Sequence, residues 1–226
     1  MHLKCLTPAA HKVLKVISPV AVARGFVLAG GTAVALHLGH RRSEDFDFFS
    51  IRPFRPERLH QAIHRLNLET TVLQEEPGTL TLLADGVKVS FFHYPYPFLE
   101  SMSTLHGVRV AGLVDIASMK LMAMMQRGAK RDYVDLYSIL QDVPFSKIAE
   151  NMINRYGVNR VNPLVIGKAL VFFRDADADP DPEYLGKMTS WGKIKRYLTD
   201  HVQQFVLDIQ KVDKNGSGFA KSGRGQ

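Results

Sequence analysis

Asp45 and Asp47 flank Phe46 in the run Asp-Phe-Asp-Phe-Phe-Ser, whose alternation of carboxylate and aromatic residues reads as a strand. On a strand both carboxylates point to one face, a few ångströms apart, and they repel unless something positive sits between them. A hard divalent cation fills that role: Mg²⁺ takes one or two carboxylates and completes its shell with water and phosphate oxygens. Upstream, Gly30-Gly31 lets the backbone approach a ligand closely, and the helix start that follows offers N–H groups to an anion. Arg41 and Arg42 lie in the loop between and can reach the same phosphates. Singly these are ordinary features, since a D-x-D pair is more often an exposed polar edge, Gly-Gly a turn and an arginine pair a solvated loop. Their order (strand, Gly-Gly, helix, basic loop, D-x-D strand) makes a phosphate-plus-metal arrangement suited to nucleotidyl transfer.

The elements that must hold these residues follow from periodicity and punctuation. Thr7-Pro8 supplies an N-cap and a proline at the first helical position, Val13, Leu14, Ile17 and Val20 recur at helical spacing, and Gly25 stops the helix. Residues 26–29 read as a short buried strand, 32–38 as a helix closed by Gly39, and 45–51 as the D-x-D strand. A helix over 56–66 precedes strands at 69–73, 79–83 and 87–93, the last two joined by an Asp85-Gly86 hairpin turn; 106–111 is expected to be one more strand. From Leu113 the pattern turns helical, with segments at 113–126, 130–141, 146–156, 163–172 and an interrupted 187–209; 174–183 is expected to be an acidic, proline-rich loop. The expected fold class is α/β (α+β): a small mixed sheet flanked by helices in residues 1–111, a helical domain over 112–213, and a flexible Gly/Ser/Lys-rich tail over 214–226.

Composition sets the frame for this reading. Hydrophobic residues at 46% and charged residues at 23% of 226 exclude intrinsic disorder and a fibrous repeat, and the absence of a long apolar run excludes a spanning helix. The single Cys5, near the flexible start, excludes an intramolecular disulfide framework and a cysteine-rich zinc site. The N-terminus lacks a secretory layout, so a cytoplasmic location is expected. Beyond Tyr184, eight basic residues face only Asp200, Asp208 and Asp213, so this stretch carries most of the net +7 and suits an acidic partner such as RNA.

The stretch GGTAVALHLGHRRSEDFDFFS at 30–50 resembles the first motif of the AbiEii/AbiGii toxin family of the nucleotidyltransferase superfamily, and MKLMAMMQRGAKRDYVDLYSIL at 119–140 resembles its second. The resemblance extends over roughly residues 25–140. It implies a nucleotidyltransferase-like core in which Asp45 and Asp47 hold Mg²⁺ or Mn²⁺ and Gly30, Gly31 and Thr32 line the NTP triphosphate. Lys120 would contact phosphate or acceptor, and Asp132 or Asp135 would complete the second motif. Read as successive helices, 113–126 and 130–141 let Lys120 and Arg127 face one ligand, and Asp132 and Asp135, three apart, share a helix face. Many members of the superfamily carry a third carboxylate on a later strand; here 87–93 has Ser90 at that position, with Lys88 on the same face. Either Asp132 or Asp135 supplies the missing carboxylate, or the activity is weak, altered or lost.

Other constellations fail on inspection. His60 and His64 have zinc-ligand spacing but lack the glutamate of H-E-x-x-H, and Asp175, Asp177 and Asp179 lack the glycine and glutamate of an EF-hand loop. Phe91, Phe92, Tyr94, Tyr96 and Phe98 are explained by a strand-end core and a proline-locked loop.

The expectation is an enzyme that moves a nucleoside monophosphate from an NTP to an acceptor, releasing pyrophosphate. The resemblance implies the toxin of a toxin–antitoxin or phage-defence pair, with tRNA or a protein hydroxyl as acceptor and a cognate antitoxin as partner. Two alternatives stay open: a degenerate module that binds nucleotide, RNA or a partner without chemistry, and a kinase-like phosphotransferase.

Overall fold

Thr7 accepts the Ala10 N–H at 3.2 Å and opens α1 (Pro8–Ala23), which ends ahead of Gly25 at a φ of 71°. A computed structural model describes residues 1–186 and 188–219, and within them two units separate: residues 1–112 with the segment from Glu183, and residues 113–182 with those from Met188 on. None of the described helices is long and apolar enough to cross a membrane.

The first unit is a seven-stranded mixed sheet in the order β3-β4-β5-β2-β1-β7-β6. Its strands are β1 (Val27–Ala29), β2 (Phe46–Ser50), β3 (Thr70–Glu76), β4 (Thr79–Ala84), β5 (Val87–His93), β6 (Ser103–Leu105) and β7 (Val108–Val110). Helix α2 (Gly30–Leu38) follows β1 directly, and α3 (Pro56–His64) follows β2. β2 is the middle strand, antiparallel to β1 and parallel to β5, so the D-x-D pair sits at the centre of the sheet and not on an edge.

The alternation along β2 separates two faces. Phe46 and Phe48 are fully buried beside Val89 and Phe91, with Phe48 stacked on Phe91 at 5.0 Å and Phe26 meeting Phe91 edge-on at 5.0 Å. Against this face α1 and α3 bury Leu14, Ile17, Leu59 and Ile63; each such side chain contributes roughly 1.5–3 kcal/mol by leaving water. Asp45, Asp47 and Phe49 take the other, half-exposed face.

The second unit is helical: α4 (Leu113–Met124), α5 (Lys130–Ile139), α6 (Phe145–Tyr156), α7 (Pro163–Val171), α8 (Arg174–Ala178) and α9 (Trp191–Phe219). α9 packs on α5, α6 and α7; Phe145 stacks on Phe205 at 4.1 Å, and a Cβ at Gly167 would lie 2.6 Å from Val206 Cγ2, so only glycine allows that approach of α7 to α9. Asn162 caps α7 by accepting the Leu164 and Val165 N–H groups.

Several expectations are corrected. Residues 106–111 are not one strand: His106-Gly107, with φ of 50° and 82°, is the turn of a β6–β7 hairpin. The stretch 174–183 is not all loop, because Arg174–Ala178 forms α8, and Glu183 to Leu185 return to pair with His40 to Arg42 in the first unit. α9 runs without a break and continues through Phe219; Lys187 and the expected tail from residue 220 lie outside the described residues. Cys5 is not at a loose end: it is fully buried in a 3₁₀ turn, its carbonyl accepts the Ser43 N–H at 3.0 Å, and burial pushes its thiol up to about 11.

Candidate active site

At the end of β1 the chain enters α2 without a connecting loop, and Gly30 makes the entry possible with a φ of 69°. Ala29 is paired with Asp47, so Gly30 sits over that carboxylate: a Cβ on Gly30 would stand 2.5 Å from Asp47 Oδ2. Two separate constraints thus demand glycine, a left-handed backbone and a carboxylate in the space a side chain would fill. The first turn of α2 takes no side-chain cap, so its N–H groups and the positive end of the helix dipole face the same place. Gly30→Ala is expected to leave Asp47 displaced and to lower nucleotidyl transfer at least about a hundredfold, on the order of a misplacement of 1 Å; wild-type turnover in that variant would contradict this geometry.

Thr32 turns out to hold the D-x-D loop in place. Its hydroxyl donates to the Asp45 carbonyl and, with that proton committed, accepts from Ser43 Oγ at 2.7 Å; both Thr32 and Ser43 are buried. Asp45 thereby enters β2 at a fixed height. Across the sheet Asp47 is in register with Ser90, Ser90 with Thr81 and Thr81 with Gln74, and Thr81 Oγ1 donates to Ser90 Oγ at 3.3 Å. Ser90 therefore occupies the strand position beside Asp47 where a third carboxylate would stand, and it is buried. Lys88, exposed and two residues earlier on β5, shares this face, and continuing the register one step places it beside Asp45. The row Ser90–Thr81–Gln74 and the Ser43 anchor were not apparent from sequence; the period-2 polar positions of 79–83 and 87–93 were their only signal.

The arginine pair serves the loop. Arg41 is buried and donates through Nη1 to the Arg42 carbonyl at 2.8 Å, while Arg42 Nε donates to Glu183 Oε1 at 2.5 Å and its N–H to the Glu183 carbonyl. The Glu183 hydrogen bond holds the Arg42 guanidinium above its ordinary range.

In the second unit Lys120 on α4 brings Asp132 and Asp135 of α5 together, with Nζ 2.8 Å from a carboxylate oxygen of each. Asp135 is fully buried and Lys120 nearly so, while the Asp132 side chain keeps 22% exposure. Burial alone depresses the ammonium, but the charges of Asp135 and Asp132 and their hydrogen bonds outweigh it, and the net shift is upward; Lys120 stays protonated. Arg127 is exposed on the link between α4 and α5. A second buried network, missed in sequence, ties α4 to α6: Asp115 Oδ1 accepts from Asn151 at 2.8 Å and from Arg155 Nη1 at 3.3 Å. Asp175 to Asp179 hold no EF-hand geometry; Asp177 accepts from Trp191 Nε1 and pairs with Lys195, and Asp179 accepts the Lys130 N–H.

Solved structures share this architecture of a mixed sheet with a helix starting over its central strand. JHP933 from Helicobacter pylori matches with a TM-score of 0.53 and 18% identity, over 96% of this chain and 100% of that one. MenT4, a nucleotidyltransferase toxin from Mycobacterium tuberculosis H37Rv, matches at 0.53 and 14%, over 92% and 93%. At such identities the likeness is one of fold.

The chain belongs to the AbiEii family, whose model, described as nucleotidyl transferase AbiEii toxin of a type IV TA system, matches residues 12–96 and 87–206. An uncharacterized protein, aq_aa25, of Aquifex aeolicus (strain VF5) is 34% identical over 197 residues, 85% of this chain and 93% of the relative. The protein is a nucleotidyltransferase of a toxin family.

Proposed function

We propose that the protein transfers a nucleoside monophosphate from an NTP to a hydroxyl of tRNA or of a protein, with Mg²⁺ or Mn²⁺ held by Asp45 and Asp47. Its role would be that of a toxin restrained by a cognate antitoxin. The observation that carries the reading is the Asp45–Asp47 face of β2, lying beneath Gly30 at the uncapped start of α2. The donor set fits a hard cation that shares its shell with phosphate: two carboxylates lie on one face, and among the described residues no group of three or more His, Cys, Asp or Glu could hold a metal by itself. When bound, such a cation supplies Lewis-acid stabilisation of the charge on the reacting phosphoryl oxygens.

The chain's own residues do the rest. The N–H groups of Gly30, Gly31 and Thr32 orient the phosphates and offset their charge, as helix starts do for anions. Lys88 adds a positive charge on the same face, whereas Lys120 is buried in the helical unit and committed to Asp132 and Asp135. Ser90 can donate a hydrogen bond but takes no proton at neutral pH, so the acceptor hydroxyl finds no strand carboxylate beside Asp47 to act as its base. That observation favours a second reading, a module that binds nucleotide, RNA or a partner with transfer slow or lost.

Incubation with Mg²⁺, each α-labelled NTP and total tRNA separates the readings. Label is expected in RNA or protein together with released pyrophosphate, and none from γ-labelled NTP. Absence of transfer from every NTP by folded, nucleotide-binding protein would establish the second reading, and transfer of the γ label alone would mean a phosphotransferase.

A further inference from the structure

A cluster of arginines in the first unit lies away from the D-x-D face. A cavity of about 1060 Å³ opens where β1 begins and β2 ends, and Arg24, Arg52, Arg55, Arg58 and Arg109 line it with no acidic residue among its walls. None of the ion pairs among the described residues involves any of these five. Three of them come from one short stretch, Arg52-Pro53-Phe54-Arg55-Pro56-Glu57-Arg58, in which the prolines hold the backbone extended into the first turn of α3. Arg109 is held by donating from Nη2 to the Gly25 carbonyl at 3.0 Å, and Phe54 is fixed edge-on against Phe26 at 5.2 Å.

Five guanidiniums around one concavity repel each other, and the low-dielectric wall concentrates their field. Burying them against a folded protein would require several carboxylates placed within a few ångströms of one another, with the same repulsion on the partner's side. A nucleic-acid backbone carries closely spaced charges by construction, and its phosphates match the planar fork of arginine, which binds them in bidentate fashion. The choice of arginine at all five charged positions, with no lysine, fits that recognition. Ser50 and Ile51, in the wall, lie three and four residues beyond Asp47, or roughly 10–13 Å along the strand direction. A polynucleotide lying in the cavity is thus within a few nucleotides of the D-x-D face of the same unit.

We propose that this arginine cavity is a phosphodiester-backbone site that docks the RNA acceptor, a reading that rests on RNA being the acceptor. It assigns RNA docking to residues 24–109, and not to the basic stretch beyond Tyr184, where Lys195 and Lys211 are paired with Asp177 and Asp208.

The test is equilibrium binding of labelled tRNA to the full chain without NTP, across a salt series. In the variant Arg52→Gln/Arg55→Gln/Arg58→Gln, all three side chains being exposed, the affinity is expected to fall at least about tenfold near 0.1 M salt. The slope of log affinity against log salt should shrink by about 2 to 3, the loss of three phosphate contacts. Binding of NTP and the melting temperature should stay at wild-type values, and Lys193→Gln/Arg196→Gln on α9 should bind tRNA like wild type. Undiminished tRNA binding in the arginine variant, or loss only in the α9 variant, overturns the proposal. A loss of NTP affinity with tRNA affinity retained would make the cavity a nucleotide site, and loss of antitoxin binding alone would make it a protein interface; either also overturns it. Failure of the underlying reading shows separately, as wild-type protein that neither binds tRNA nor labels it.

Discussion

Asp47→Asn is expected to reduce nucleotidyl transfer by at least about a thousandfold, on the order of 4 kcal/mol of transition-state stabilisation, while the protein stays folded. Asparagine keeps the volume of the carboxylate under Gly30 and leaves the backbone pairing of β2 with β1 and β5 in place. What disappears is one of two negative charges that a divalent cation needs on that face, and Ser90 next door cannot replace it. Asp45→Asn should behave alike, since the Thr32 hydrogen bond goes to the Asp45 carbonyl, which the substitution keeps. The double variant should lose little beyond either single one, because the two carboxylates act as one cation site. The measurement is transfer of α-label per minute alongside thermal melting. Transfer within tenfold of wild type in either variant would remove these residues from the mechanism, whatever the family.

Lys120→Met is expected to cost about 3–5 kcal/mol of stability, because it strands Asp135, fully buried, and Asp132 beside it without their common cation. In a chain of this size that corresponds to a fall in melting temperature of roughly 6–20 °C. Adding Asp135→Leu to Lys120→Met should recover part of the loss, whereas Asp135→Leu alone should not stabilise. The pH dependence has a definite sign. With its pKa raised in the folded state, Lys120 contributes stability that is complete below its unfolded value near 10.5 and is lost as pH rises through the folded value above it. Wild type should therefore lose stability above pH 10.5 more steeply than the Met variant. A Lys120→Met protein that melts with wild type would show that the cluster is not a support of the helical unit.

Local patterns made the candidate residues more legible than their surroundings. Asp45 and Asp47 announced themselves because a strand's two-residue period is visible in Asp-Phe-Asp-Phe, and the buried Phe46 and Phe48 opposite half-exposed carboxylates follow from that period. That β2 is central, with β5 parallel on one side and β1 antiparallel on the other, depends on pairings between residues 18 to 43 positions apart, which no local period encodes. The i, i+3 spacing of Asp132 and Asp135 put them on one face, but their convergence on Lys120 belongs to helix packing. His106-Gly107 reads as part of a strand because the non-glycine half of the turn, His106, carries a positive φ that its residue type does not announce. Charge was the least legible feature: the net surplus lies beyond Tyr184, yet there lysines meet aspartates, while the arginines between 24 and 109 gather around a cavity through folding alone.

The clamp of Glu183 on Arg42 has a consequence for the timing of synthesis. The loop that delivers Asp45 into the sheet is fastened by a residue made 141 positions later. At roughly 5–20 residues per second, that interval lasts about 7 to 28 s. Throughout it the loop that leads into the D-x-D strand lacks its outer fastening. The outer fastening of that loop is thus among the last contacts of the first unit to become available during synthesis.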